Sequence, residues 1–292
     1  MPKVRYGPRD PAAVAQARES AAQLPDLWST GVHAVWETDP DALAQVLPPP
    51  LKPGAKPYVR ATINNVDIFG TPLGAAAISV ACTHGEEEGW YSLVMPMTTE
   101  RSLIGGREVF GEPKKLAEVT VERDGEAITA KVTRHGVAFA EIHGRVGERL
   151  EAPAPYVKTD WYLKFLPAVD GHGFDADPLL VRCLRTEKTR LLHAVDGEVV
   201  LRESALDPVA DLPVRRLVEI TFGEKTSDQR GEVVARLDPA AILPYIHQRY
   251  DDPAQVHDSV EVQAAGRPRS RQWSRQRGGL QCSLTCPARP PS

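Results

Sequence analysis

A mainly β fold of α+β type, with antiparallel sheets or a barrel and a few short helices, is what the sequence predicts. Three observations predict it. Strand-like runs of apolar residues recur from about residue 31 to 237. The dipeptides Asp124-Gly125, His135-Gly136 and Asp196-Gly197 punctuate them. Asp-Gly is a strong hairpin signal because tight hairpin turns need positive φ, and His-Gly is a weaker one. Helical patterns are few and short, and no repeat of about 20 to 50 residues is visible, which sets aside a propeller or solenoid.

The elements follow in order. Residues 9–23 are Ala-rich with scattered charges and read as a short helix or loosely held arm, so residues 1–25 are set apart as an N-terminal arm. Val32-His33-Ala34-Val35-Trp36 is strand-like. Asp39 with Pro40 supplies an N-cap and a proline at the first helical position, opening a helix over about 40–47 that Pro48 ends. Strands are expected at 58–69, 75–83 and 90–96, and Thr98 or Thr99 caps a helix that Gly105-Gly106 terminates. A three-strand meander covers 118–123, 126–134 and 137–146. Further strands are expected at 179–187, 190–195, 198–202, about 216–222 and 231–237, with Asp196-Gly197 as a turn. Asp238-Pro239 opens a closing helix through Tyr250.

A chain of 292 residues that is 42% hydrophobic and 25% charged can bury a full core. After Asp252 the composition changes: residues 265–292 carry six arginines among Gly, Pro, Ser and Gln, with no acidic residue. Residues 253–292 are therefore expected to be a disordered basic tail, leaving 26–252 as the folded domain. The net charge of -4 gives no basic field for nucleic acid or an anionic membrane. No apolar run of about 18 residues and no signal-peptide core is present, so a cytoplasmic protein with a small-molecule partner is expected. Cys82 and Cys183 sit singly in apolar runs, Cys282 and Cys286 lack a second ligand pair, and His33, His84, His143, His172 and His193 form no spaced cluster. No metal or cofactor is expected.

The stretch that carries chemistry is Gly106-Arg107-Glu108-Val109-Phe110-Gly111-Glu112-Pro113-Lys114-Lys115-Leu116. Pro113 fixes its own φ and biases Glu112 to an extended conformation. Extended backbone alternates at period two, which puts Glu112 and Lys114 on one face and Lys115 on the other. Adjacent lysines are most often a solvated surface pair. Here Val94, Met95, Met97 and Phe110 are available to bury Lys114.

That segment resembles the acetoacetate decarboxylase family. So do Thr38-Asp39-Pro40-Asp41-Ala42-Leu43, Tyr162-Leu163-Lys164-Phe165-Leu166-Pro167 and Pro208-Val209-Ala210-Asp211-Leu212-Pro213-Val214, and the resemblance spans about residues 26–252. It implies the family's β fold, a keto acid or related carbonyl substrate, a homo-oligomer, Lys114 as the Schiff-base lysine and Lys115 as its neighbour. An ammonium cannot attack a carbonyl, so such a lysine must lose its proton, which burial or a nearby cation promotes. The imine is then an electron sink for decarboxylation, and equally for aldol or dehydration chemistry.

The family carries an arginine where this chain has Ser29, a glutamate matching Thr62, and another ahead of the strand at 75–83, where this chain reads Gly70-Thr71-Pro72-Leu73-Gly74. Arg60, Asn64, Met95, Met97 and Phe110 are the substrate-binding candidates. Lys114 is expected to point into an enclosed apolar cavity and Lys115 elsewhere. Glu112 is either an ion-pair partner of Lys114 or, in a dry pocket, a protonated general acid, and the latter is expected. A non-catalytic carbonyl or acid-binding protein on the same fold is the competing function, and an interaction module using the basic tail is a third.

Overall fold

The computed structural model describes residues 4–22, 26–68 and 70–251; the basic tail expected at 253–292 lies outside them. The elements, in chain order, are α1 (Pro11–Ala22), β1 (Ser29–Glu37), α2 (Pro40–Val46), β2 (Lys52–Pro53), β3 (Tyr58–Ile68), β4 (Thr71–His84), β5 (Glu87–Met97) and α3 (Glu100–Phe110). They continue with β6 (Lys114–Leu116), β7 (Glu118–Asp124), β8 (Ala127–Arg134), β9 (Val137–Arg149), β10 (Tyr156–Lys164), β11 (Leu179–Leu201), β12 (Arg216–Arg236) and α4 (Pro239–Ile242).

The local signals act where the chain's chemistry places them. Asp39 accepts hydrogen bonds from the N–H groups of Asp41 and Ala42, and Asp238 from that of Ala240, each followed by proline at the start of its helix. His135 and Gly136 both take positive φ, 49° and 81°, and Gly125 takes 59°, so both meander turns form as expected.

Four expectations are overturned. Asp196-Gly197 is no turn: β11 runs straight through it, with Gly197 opposite Gly144 of β9. A Cβ on Gly197 would sit 2.0 Å from the His143 carbonyl, so the glycine serves close strand approach instead of chain reversal. Likewise the strands expected at 216–222 and 231–237 are one continuous β12. Gly105-Gly106 does not end α3, which continues to Phe110 and stops at Gly111, whose φ of 79° is left-handed. The closing helix is shorter than expected, α4 giving way to a 3-10 segment over Leu243–Gln248 that begins at Pro244's flank.

Hydrogen-bonded strand neighbours run β10-β5-β4-β3-β1-β12-β11, and β10 also pairs with β11, so this series returns on itself. From the second half of β11 the β9-β8-β7 meander branches off. Its β7 lies against β3 and β4. Pairing is antiparallel except where β5 meets β6 and β10, both parallel. Val32, Ala34, Trp36, Val59, Ile63, Ile78, Val80, Val132 and Phe139 are buried in one core, built by the period-two faces of these strands.

Candidate active site

β6 is three residues long, and its register with β5 decides where the two lysines go. Lys114 pairs with Met95, Lys115 with Pro96 and Leu116 with Met97. Met95 and Met97 line a cavity of about 260 Å³. In-register neighbours share a face, so Lys114 leaves β6 on the cavity side and Lys115 on the other. The alternation expected from Pro113 is what the structure adopts.

The lysine nitrogen does not, however, enter an apolar cavity. Lys114 Nζ lies 2.8 Å from Glu112 Oε2 and donates to the Ser102 carbonyl at 3.1 Å, and Lys114 is not among the cavity walls. Its side chain keeps 13% exposure, while Glu112 keeps 1%. The carboxylate draws the ammonium back toward α3, where Gly106 leaves room. A Cβ there would fall 2.0 Å from Glu112 Oε2 and 2.5 Å from Lys114 Nζ. Gly106 inside α3 is thus explained by the pair it accommodates, whereas a Cβ on Gly105 would meet open space.

The other Glu112 oxygen is ion-paired to Arg185 Nη2 at 2.8 Å, so Glu112 bridges two cations, in contrast to the protonated acid expected for a dry pocket. Arg185 Nη2 also donates to Tyr162 Oη at 3.0 Å, and its Nε pairs with Asp160 Oδ2 at 2.8 Å. Asp160 Oδ1 accepts from Arg60 Nη2 at 2.9 Å, and the Arg60 guanidinium lies 4.5 Å from the Trp90 ring centre. Charge therefore alternates along Lys114, Glu112, Arg185, Asp160 and Arg60, running from behind the wall into the cavity. Burial works against the charge on Asp160, but Arg60 and Arg185 outweigh it and hold the carboxyl below its ordinary range. Burial likewise opposes the charge on Arg185, and Tyr162, Asp160 and Glu112 more than restore it. Tyr162 is pushed up by burial.

A second cluster occupies the same cavity. Glu187 is paired to Lys158, lies 3.2 Å from Lys225 Nζ, and accepts from Tyr156 Oη at 2.6 Å. Burial opposes its ionisation, yet Lys158 and Lys225 hold it well below the ordinary carboxylate range. Burial, and then Arg60, lower Lys158 to about 8. His33 Nδ1 sits 3.4 Å from Lys225 Nζ, and burial followed by that cation lowers the imidazole well below its usual value.

Of the residues singled out from the sequence, Arg60, Asn64, Met95 and Met97 line this cavity. Phe110 does not. It packs with Met95, Tyr162, Val181 and Cys183, its ring close to Gly231. Ser29 and Thr62 are cavity walls too. Lys115 faces the opposite side, 3.3 Å from Asp207 and 3.0 Å from Asp251, with Arg134 pairing to both carboxylates. It borders a separate cavity of about 200 Å³ with Val46, Leu93, Val94 and Leu212.

Sequence reading missed Lys158, Asp160, Arg185, Glu187 and Lys225. The available signal was the period-two spacing of Lys158, Asp160 and Tyr162 on β10 and of Arg185 and Glu187 on β11. Charged residues at that spacing ordinarily mark a solvent face, and β10 is instead buried on both faces. Among the described residues, no helix is long and apolar enough to cross a membrane, and no three His, Cys, Asp or Glu residues gather as a metal site.

This architecture is shared with solved enzymes. A solved acetoacetate decarboxylase superposes with a TM-score of 0.64 at 21% identity, covering 73% of this chain and 91% of that one. The enduracididine biosynthesis enzyme MppR complexed with pyruvate gives 0.60 at 17%, covering 75% and 94%. An acetoacetate decarboxylase-like enzyme from Sphingomonas wittichii RW1 gives 0.59 at 19%, covering 73% and 95%. These likenesses define an acetoacetate decarboxylase fold.

The sequence goes further. The acetoacetate decarboxylase family model matches residues 9–237. The acetoacetate decarboxylase of Chromobacterium violaceum is 30% identical over 192 residues, 61% of this chain and 74% of that protein. The one from Burkholderia multivorans is 31% identical over 195 residues, 63% and 76%. The chain belongs to the acetoacetate decarboxylase family. The match starts at residue 9, inside the segment set apart as an arm, of which α1 is a helix with residues 11–20 exposed.

Proposed function

We propose that the protein is a lyase that acts on a keto acid through a Schiff base on Lys114, with decarboxylation as its reaction. The observation that carries this is the placement of Lys114 on the Met95 face of β6, 2.8 Å from a buried carboxylate that a second cation shares. To become a nucleophile the ammonium must give up a proton, and Glu112 is the acceptor within reach. Once the amine is neutral and swings toward the cavity, the protonated Glu112 carries no charge and Arg185 keeps Asp160 as its anion, so no buried charge is left alone. Attack on the substrate carbonyl and loss of water give the protonated imine. The bond to the carboxylate carbon then breaks, its electron pair passing to the iminium nitrogen as carbon dioxide leaves. Protonation of the enamine carbon and hydrolysis release product and free Lys114.

The competing reading, a carbonyl or acid-binding protein, is favoured by Ser29 and Thr62, which place hydroxyls on the wall where the resembled family has an arginine and a glutamate. Borohydride trapping with a panel of keto acids, followed by mass mapping, separates the two. Reduced adduct on Lys114 with release of carbon dioxide supports the lyase. Saturable ligand binding with no adduct on any lysine leaves the binding protein.

A further inference from the structure

The cluster around Glu187 is not used by the chemistry above, and its charge does not balance. Lys158 and Lys225 converge on this one carboxylate, which also accepts from Tyr156. Two ammonium groups against one carboxylate leave a surplus positive charge at a cavity wall. Both lysines are largely buried, at 18% and 16% side-chain exposure. Each ammonium has three N–H donors, more than the partners it meets here. The adjacent His33, kept neutral, supplies no compensating negative charge.

Such a site does not suit the carboxylate that leaves. Decarboxylation disperses the carboxylate's charge into the imine, so a cation holding that group stabilises the ground state more than the transition state and slows the step. It suits an anion that stays. We propose that Lys158 and Lys225, held on Glu187, bind a second, retained carboxylate, so that the substrate is a keto diacid and the product an oxo monoacid. This deepens the Lys114 reading and rests on it for the reaction, though not for the binding.

The test uses 3-oxohexanedioate against 3-oxohexanoate for turnover, and the unreactive hexanedioate against hexanoate for calorimetric binding, on the full chain at neutral pH. Wild type should turn over the oxo diacid with kcat/KM at least about tenfold above the oxo monoacid, and bind hexanedioate at least about tenfold more tightly than hexanoate. Lys225→Met should collapse both ratios toward one, through KM with kcat kept, and Lys158→Met should do the same. Each variant leaves Glu187 one lysine and Tyr156, so neither strands a bare buried charge. Lys114→Ala should keep the binding preference while losing turnover. Equal binding of diacid and monoacid by wild type overturns the subsite and leaves the Lys114 reading intact. A diacid preference in binding with no Schiff-base adduct from either keto acid overturns the Lys114 reading and leaves the subsite standing.

Discussion

Lys114 and Lys115 are chemically identical neighbours, yet the two faces of β6 give them different work. Lys115 is closed into a four-member knot with Asp207, Asp251 and Arg134, tying β6 to the end of β8, to the 204–212 loop and to the last described residue of the domain. Two cations meet two carboxylates there, and the loss of either cation leaves one cation against two carboxylates. On the other face Lys114 shares its single carboxylate with Arg185, which is itself anchored to Asp160 and Tyr162. That lysine can shed its proton or move while the charge behind it stays compensated. A buried lysine is available for chemistry when enough cations remain without it for the carboxylates it leaves, as Arg185 and Arg60 remain for Glu112 and Asp160, and structural when it is needed to balance a closed set.

The largest effect expected from this contrast is that Lys114→Ala removes borohydride-trappable adduct, by about a thousandfold or more, with an unchanged circular dichroism spectrum. Lys115→Ala should keep trapping per folded molecule. If Lys115→Ala loses the adduct while remaining folded, the two faces are not separate in function.

Next comes stability. Lys115→Ala leaves Arg134 as the one cation for both Asp207 and Asp251, and breaking a buried ionic set in this way costs about 3 kcal/mol or somewhat more. Urea denaturation measures this, and Lys114→Ala, which leaves Glu112 paired to Arg185, should lose clearly less. Equal losses would contradict the closed-against-shared distinction.

Arg185→Met sharpens the comparison. Without Arg185, Glu112 has Lys114 as its only cation and holds the ammonium more firmly, so the pH profile of trapping should move to higher pH at unchanged maximal yield. A profile that stays in place would show that Arg185 has no part in releasing the lysine's proton.

The smallest effect concerns pH alone. Burial works against Asp251, but Arg134 and Lys115 hold its carboxyl down at about 2. Its folded-state value lies below the ordinary 3.8, so its contribution is present above that ordinary value and is lost as pH falls from about 4 through about 2. Thermal denaturation across that window should show a slope in wild type that Asp251→Asn flattens.

Much of this was open to local reading. Asp39-Pro40 and Asp238-Pro239 announce helix starts because the capping chemistry sits in consecutive residues, and Asp124-Gly125 and His135-Gly136 announce turns because positive φ is a property of the dipeptide. The opposite faces of Lys114 and Lys115 follow from backbone alternation alone, and the lysine segment carries its family resemblance in eleven consecutive residues.

What the tertiary structure decided is everything that depends on who stands across the way. Gly197 and Gly106 carry no sign of whether they turn the chain, end a helix or let two segments touch. The answers lay in the His143 carbonyl and in the Lys114–Glu112 pair. Glu112 faces Lys114 by sequence, but that it carries two ion pairs was set by Arg185, 73 residues away. The charged rows on β10 and β11 look solvent-facing until the strand series closes and encloses them. Local chemistry and period-two geometry are written in neighbouring residues, whereas the protonation and freedom of a buried lysine are set by long-range partners that only the folded chain brings together.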